Sequence, residues 1–351
     1  MKKRLTIITL IVAVTLLLSA CSGMVSTSLT AYWNTNQVAY DSDFYEKTTY
    51  KVTYDAEDAT NTVYDLKNFE GEYVVEVQAG QSGTLADGTT SSALYKLTST
   101  FTLSGTYALK DGKDIFSFDD YSIVSEVIFH RLGEGYNMQP ISSKTAYNIY
   151  APGISSMNSA SISACRYVVE ISYNASCSKA NVLKTDLWTE ESENAFKATL
   201  NDDNKDVVSI ENAIKVDKSV SKLQKNYSFF DNNQLYFVAR GMTFEDGDSY
   251  SISTILGNAS NKATVALTCD AVSTRKYNFA ENDATASEKS ISSAEVSIGV
   301  NAGKTSGGKI TAYFAAKASD KCRLLEIREP LSYGLGQMVY RITSVQTTKN
   351  V

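Results

Sequence analysis

Residues 94–103 read LYKLTSTFTL, and large apolar side chains recur there at every second position. Tyr95, Leu97, Phe101 and Leu103, with Ser99 between them, fall on one side, and a mostly polar set falls on the other. Successive side chains of a strand point to opposite faces of a sheet, so this alternation is typical of a half-buried β-strand. The stretch therefore predicts a strand.

Similar stretches recur along most of the chain, with turn-forming residues between them. Asp111-Gly112 predicts a tight turn, and residues 80–90 predict a loop or hairpin tip. The other predicted strands cover residues 50–55, 72–78, 115–118, 123–129, 145–150, 167–173, 250–255, 261–272, 295–300, 309–316, 323–328 and 337–344. The turn spacing indicates antiparallel sheets, and the 22 Tyr and 13 Phe residues favour strands. The chain is therefore predicted to be mostly β.

One segment has the marks of a short helix. Asp231 followed by Gln234 resembles a capping box, and Gly241 supplies a C-terminal stop. Between them, the apolar residues at helical spacing are Leu235, Val238, Ala239 and Met242. We expect this apolar stripe to lie against a sheet, because an isolated helix of about ten residues is marginal in water. On that basis Leu235→Ala should cost about 2–5 kcal/mol and Asp231→Ala about 1 kcal/mol.

Residues 178–225 are less regular. Thr189 could cap a second helix running towards Leu200. The apolar residues at 207–216 fit either a strand or a helix, and the polar residues 202–206 predict a solvated loop.

The N-terminus has the layout of a secretory signal peptide. Three basic residues at 2–4 precede an uncharged apolar run over residues 5–20, which is shorter than the roughly 20 residues of a membrane span. The run ends in LSAC (18–21), which resembles the lipobox of bacterial lipoproteins. That resemblance implies cleavage between Ala20 and Cys21 and a lipid on Cys21, followed by a flexible tether to residue 40. The alternative is a plain secretory signal with an accidental cysteine.

Cleavage at that point would leave 331 residues with 30 basic and 39 acidic side chains, a formal charge of −9. Such a chain has no basic field to attract nucleic acid. We therefore expect no nucleic-acid partner. The expected partners are the membrane, through the lipid on Cys21, and a lipid or glycan ligand.

Four cysteines follow Cys21, and an even number in an exported chain permits disulfides. A pair between Cys165 and Cys177 is disfavoured, because the strand predicted between them spans roughly 26 Å and bridged Cα atoms lie within about 7 Å. Cys269 and Cys322 form the more plausible pair, since both flank strands. Free buried thiols are the alternative.

Few residues suggest catalysis or a metal. His130 is the only histidine, no nucleophile motif surrounds a Ser or Cys, and the cysteines lack paired metal-site spacing. Residues 202–206 resemble the start of a calcium loop, but Val207 and Ala213 occupy the positions that need Gly and Glu. We expect no cofactor and no metal. Three glutamates at 190, 191 and 193 could supply glycosidase carboxylates, although a solvated acidic face is the favoured interpretation.

Several stretches of the second half follow the order found in one family. They are LYFVARG (235–241), FEDGD (244–248), NAGK (301–304), RLLEIREP (323–330) and GQMVY (336–340). Together with a corner at Pro140-Ile141-Ser142, this order resembles exported bacterial β proteins known only as a domain of unknown function. The resemblance implies two curved antiparallel sheets, similar to the half-barrels of lipoprotein carriers, with one or two short helices. It implies no activity.

We therefore expect an N-terminal β unit over residues 41–177 and a C-terminal β unit over residues 178–351. The abundant tyrosines suit a carbohydrate or lipid surface, although ordinary sheet core and cross-strand packing is the favoured explanation. The favoured function is a non-catalytic envelope lipoprotein that binds or carries an amphipathic or glycan ligand at the cell membrane or outer membrane. The alternatives are a component of a surface assembly and an enzyme acting on glycan or peptide.

Overall fold

The computed structural model describes residues 25–26, 43–85, 88–133, 136–154, 160–202, 204–224, 228–256, 261–302, 305–306 and 309–347. The signal peptide, its cleavage after Ala20, the lipidation of Cys21 and most of the tether lie outside these residues. Within the described ranges, no helix has both the length and the apolar character needed to cross a membrane.

The described part of the chain is dominated by strands. They are β1 (Val25–Ser26), β2 (Tyr45–Asp55), β3 (Tyr64–Thr84), β4 (Thr90–Leu109), β5 (Asp114–His130), β6 (Leu132–Gly133), β7 (Tyr136–Asn137), β8 (Pro140–Ile154), β9 (Ala160–Tyr173), β10 (Lys179–Asp186), β11 (Val208–Ile210), β12 (Val216–Ser221), β13 (Ser249–Leu256), β14 (Asn261–Glu281), β15 (Ser287–Ala302), β16 (Thr305–Ser306), β17 (Ile310–Ala315), β18 (Leu324–Pro330) and β19 (Gln337–Gln346). The helical elements are α1 (Glu190–Thr199), α2 (Leu235–Ala239) and the 3-10 turns η1 (Asn232–Gln234), η2 (Ala318–Asp320) and η3 (Ser332–Gly334). The predicted mostly-β class with two short helices is confirmed.

Most strands form one continuous antiparallel path. Its order is β13–β14–β15–β17–β18–β19–β2–β3–β4–β5–β8–β9–β10–β12. The two curved sheets expected from the sequence are thus parts of one sheet, which β19 and β2 join. A short parallel contact between β14 and β19 also closes β14, β15, β17, β18 and β19 into a ring.

The first half of the sheet curls strongly. β3 and β8 are three ladders apart, which would be roughly 14 Å in a flat sheet. Nevertheless the Tyr64 hydroxyl on β3 lies 2.7 Å from the carbonyl oxygen of Gly153 on β8. The Tyr107 hydroxyl on β4 likewise donates to the carbonyl of Tyr150 at 3.0 Å. These contacts bend β3–β9 into a trough with a concave inner face.

The segment from Asp231 closes part of this concave face. Asp231 accepts from the Asn233 amide, and the Gln234 side chain accepts from the Asp231 amide, so the predicted capping box is present. Leu235, Val238, Ala239 and Met242 are buried, as the helical spacing predicted. The Phe237 ring lies 5.9 Å from that of Phe129 on β5. The helix therefore packs on the sheet, as predicted.

The estimate for Asp231→Ala needs correction. Asp231 is buried, and its Oδ2 accepts from the Tyr173 hydroxyl of β9 at 2.5 Å. Alanine would remove the cap and leave the buried Tyr173 hydroxyl without this acceptor, which adds about 1–3 kcal/mol to the capping cost. The sequence could not show this long-range contact.

The less regular segment is also resolved. Thr189 caps α1 through a reciprocal contact with Ser192, as predicted. Of the apolar residues left open between strand and helix, Ile210 lies in β11 and Val216 in β12, whereas Val207 and Ile214 lie outside both strands. β11 and β12 add to β9 and β10. β10 pairs with β9 immediately after the boundary expected at residue 177.

The expected bond between Cys269 and Cys322 is absent, because all four described cysteines are free. Cys269 on β14 lies opposite Val296, which lies opposite Ala312 and then Ile327 of β18. Cys322 is therefore three strands across the sheet and five residues further along it. That separation exceeds the roughly 7 Å that a disulfide allows. Burial raises the pKa of both thiols to about 11.

Candidate functional site

An unbroken line of large side chains crosses seven strands at one level of the sheet. In register order it consists of Ile342, Tyr50, Tyr73, Phe101, Ile123, Tyr147 and Tyr167. Directly opposed residues of paired strands share a face, so these side chains form one surface, which we call the aromatic row. Two adjacent pairs of rings in the row contact each other, with centroids 5.7 Å apart for Tyr50 and Tyr73 and 4.5 Å apart for Tyr147 and Tyr167.

The aromatic row lies on the concave face, on the same side as α2. Tyr236 and Phe237 of α2 line a small cavity together with Tyr50 and Tyr73. Val124, which follows Ile123 on β5 and points the other way, is 42% exposed on the convex face. The alternation along β5 therefore separates an aromatic inner wall from a solvated outer wall.

A second set of tyrosines gathers next to the aromatic row. The Tyr340 ring of β19 lies 5.8 Å from that of Tyr73 and 5.6 Å from that of Phe101. The Tyr121 ring of β5 lies 5.7 Å from that of Phe101 in an edge-on arrangement. We call Tyr73, Tyr121, Tyr236 and Tyr340 the tyrosine cage, because the charge of one carboxylate, Glu329, contributes to raising the pKa of all four phenols.

Glu329 enters this cage from β18. Its Oε2 accepts a hydrogen bond from the Tyr340 hydroxyl at 2.8 Å. Burial raises the pKa of Glu329 above its ordinary value, and this hydrogen bond only partly offsets that effect. Among the ion pairs found between described residues, none includes Glu329. The concave face thus holds a carboxylate without a basic partner in the described part of the chain.

Glu326, three residues earlier on the same strand, has the opposite environment. It points to the other face of the sheet and meets Arg328 at 2.7 Å, Arg341 at 3.1 Å and Arg275 at 3.9 Å. The arginines of this region therefore neutralise Glu326. Among the described residues, the groups that interact with Glu329 are phenols.

Burial first, and then the charge of Glu329, raise the pKa values of Tyr121, Tyr236 and Tyr340 above the ordinary value. Burial raises the pKa of Tyr73 to about 12, against a hydrogen bond from Ser99 that lowers it. The four cage phenols are therefore neutral at physiological pH. Each offers an aromatic face and a hydroxyl, which suits a ligand with apolar and polar parts.

A buried ion network lies at one end of the concave face. Glu46 of β2 accepts from both terminal guanidinium nitrogens of Arg240, with the shorter contact at 2.6 Å, and meets Arg323 Nε at 3.5 Å. Arg323 in turn meets Glu281 of β14 at 2.5 Å. The network ties the end of α2 to β2 and to the ring of C-terminal strands. It is a structural clamp, because its charges are already paired.

The cavity between α2 and the sheet is small. It extends from Glu46 and Arg240 to Tyr73 and Tyr236 and has a volume of about 30 Å³. That space admits about one or two water molecules. A larger ligand must therefore lie along the half-buried tyrosine cage, or α2 must move away from the sheet.

The residues singled out from the sequence lie elsewhere. His130 ends β5, and burial lowers its pKa. The three glutamates at 190, 191 and 193 form the first turn of α1, where they favour the helix N-terminus. In the described ranges, no three His, Cys, Asp or Glu side chains lie close enough to hold a metal ion.

Sequence reasoning missed Glu329 as a site residue. The signal was its spacing, because a strand over 323–328 that buries Leu325 and Ile327 on one face points Glu329 to the same face. A charged residue on the same face as buried apolar residues is unusual, and it indicates a candidate binding or catalytic position.

No protein-family model and no curated protein matches the chain. Among solved structures, it is similar to a beta-barrel-like protein of domain of unknown function DUF1849 from Brucella abortus, with 8% identity and a TM-score of 0.44. The match covers 87% of this chain and 98% of that one.

Proposed function

We propose that this protein is an exported, lipid-anchored envelope lipoprotein whose concave face binds an amphipathic ligand. The aromatic row carries the proposal. It continues across seven strands, and its rings combine apolar surface with phenol hydroxyls. Such rings suit a molecule that has both an apolar and a polar part.

The arrangement of carboxylates favours binding over glycan hydrolysis. Most glycosidases use two carboxyl groups on either side of the bond that they cleave. Glu329 is the one carboxylate at the tyrosine cage among the described residues, and Glu46 is engaged by Arg240 and Arg323. A ligand bound here would meet one acid among neutral phenols.

The ligand can be tested by native mass spectrometry of protein extracted from membranes in a mild nonionic detergent. We expect a bound amphiphile, and we expect its removal to lower the unfolding temperature. Phe101→Ala should reduce the bound fraction about tenfold, because it removes the central ring of the row. Val124→Ala on the convex face is the matched control and should keep the ligand.

Two results would contradict this proposal. One is protein that is consistently empty and whose stability does not change on delipidation. The other is a bound glycan without an apolar part, which would instead support the alternative ligand class.

The anchor has its own test. Cys21→Ser removes the thiol that would carry the lipid, so the variant should become soluble or stay uncleaved in cell fractions. A diacylglyceryl group supplies two chains, which hold a protein stably where one chain binds only reversibly. If the variant is processed and fractionates with membranes as the parent does, the lipobox interpretation is wrong. Leu187→Ala, an exposed substitution in the mature chain, controls for the effect of mutation itself.

A further inference from the structure

The charge balance of the concave face narrows the class of ligand. Glu329 lies among four tyrosines, takes one hydrogen bond from Tyr340, and has no ion pair with a described residue. A carboxylate in such a place is costly to ionise without a counter-charge. The three arginines that meet Glu326 are on the opposite face of β18 and do not supply that counter-charge.

We propose that the tyrosine cage with Glu329 binds the positively charged ammonium group of an amphipathic ligand. The identification of the head group rests on the proposed function, since it assigns the polar part of the same ligand. A cation is attracted to the faces of aromatic rings, and this attraction strengthens when the site is shielded from water. Tyr73, Tyr121, Tyr236 and Tyr340 provide the rings, and Glu329 provides the opposite charge.

The arrangement fits an ammonium group better than a neutral or anionic one. An anionic head group would meet Glu329 and gain no compensating cation from the described residues of the cage. A neutral head group would leave Glu329 without a counter-charge and would not use the ionised form of the acid. An organic cation both pairs with the carboxylate and covers the ring faces, so it uses both features that the site combines.

The environment of Glu329 also indicates how the protein tolerates this half-buried acid when no cation is bound. Burial raises the pKa of Glu329, so its proton is retained to a higher pH than usual, and Tyr340 can stay hydrogen-bonded to the carboxyl group. Binding of a cation requires the ionised form. Affinity should therefore rise with pH through the pKa of Glu329. The facing groups are Tyr73 of β3, Tyr121 of β5, Tyr236 of α2 and Tyr340 of β19, which are all neutral over that range.

The test compares the binding of choline with that of 3,3-dimethylbutan-1-ol, in which an uncharged carbon replaces the ammonium nitrogen. Both are titrated onto the full-length protein in nonionic detergent. Saturation-transfer NMR titrations would give both affinities. We expect choline to bind at least about tenfold more tightly than the neutral analogue. Glu329→Gln keeps the size of the side chain and should abolish this preference. Tyr121→Leu should weaken choline binding without changing the charge of the site.

Glu288→Gln is the matched control, because Glu288 is an exposed glutamate on β15 paired with Lys276. It should leave the preference for choline intact.

Thermal unfolding of Glu329→Gln provides a second readout that needs no ligand. Because the pKa of Glu329 is raised in the folded protein, the free energy of unfolding of the parent should fall as pH rises through that pKa. The Glu329→Gln variant does not titrate there, so its free energy of unfolding should fall less.

The outcomes separate this inference from the proposed function. Equal binding of choline and its neutral analogue, or an unchanged preference in Glu329→Gln, would overturn the cation site. An amphiphile found by native mass spectrometry in that case would leave the proposed function standing. A clear preference for choline in a protein that carries no amphiphile would support a cation site and count against the broader function.

Discussion

Glu46→Ala is expected to lower the free energy of unfolding by about 3–5 kcal/mol, because it removes the shared anion of a buried network. Arg240 and Arg323 both contact Glu46, and all three side chains are almost fully buried. After the substitution Arg240 would lose its carboxylate partner and keep the carbonyl oxygen of Lys321 as an uncharged acceptor. A guanidinium left in this environment is far costlier than one in water.

The same clamp gives a pH dependence with a definite sign. Burial by itself would raise the pKa of Glu46, but the charges and hydrogen bonds of Arg240, with the charge of Arg323, outweigh it and lower the pKa. Because the pKa of Glu46 is lower in the folded than in the unfolded protein, this carboxylate stabilises the fold at pH values above its unfolded pKa. That stabilisation is lost as pH falls through its folded pKa. The parent should therefore lose stability in acid more steeply than Glu46→Ala.

Urea unfolding of both proteins at several pH values would measure these effects. Glu288→Ala is the control, because its ion pair with Lys276 is exposed and should contribute very little. If Glu46→Ala leaves the free energy of unfolding almost unchanged, the network does not hold α2 to the sheet.

Leu235→Ala is expected to cost about 2–5 kcal/mol, because it leaves a space under α2 that the curved sheet cannot readily fill. Leu235 is 7% exposed and begins the short helix whose neighbouring Phe237 packs between Phe44 and Phe129. A helix of five residues has little stability of its own, so its packing decides whether it forms.

Leu187→Ala is the matched control for Leu235→Ala, since Leu187 is 46% exposed and should change stability by no more than about 0.5 kcal/mol. Chemical denaturation would compare the two variants. If Leu235→Ala proves as mild as Leu187→Ala, α2 does not depend on its contact with the sheet, and the concave face would be open to larger ligands.

Local patterns predicted much of the secondary structure. Alternation in residues 94–103 correctly placed Tyr95 and Leu97 inside, and the Asp231–Gln234 capping box located the helix. These signals succeed because a period of two or an end cap depends on neighbours in the chain. Strand lengths were underestimated, as in β3, where bulges let one strand run for 21 residues through irregular positions.

The candidate site was much less predictable. Tyr73 and Tyr340 are far apart in the sequence and meet only because β19 pairs with β2 and β2 with β3. Among the described residues, the lack of a basic partner at Glu329 likewise depends on which face each arginine occupies. Composition indicated a tyrosine-rich surface, but register and curvature decided which tyrosines gather around one carboxylate.

The ladder between β2 and β19 has a consequence for the order of events during synthesis. Asp55 of β2 pairs with Gln337 of β19, which is synthesised 282 residues later. One edge of β2 therefore has no partner strand until β19 has been made. Until then a row of unpaired backbone groups stays open to pairing with another chain. Contacts of such long sequence separation also slow folding, because a large loop must close before they are formed. The chain therefore needs protection from aggregation until β19 is available to pair with β2.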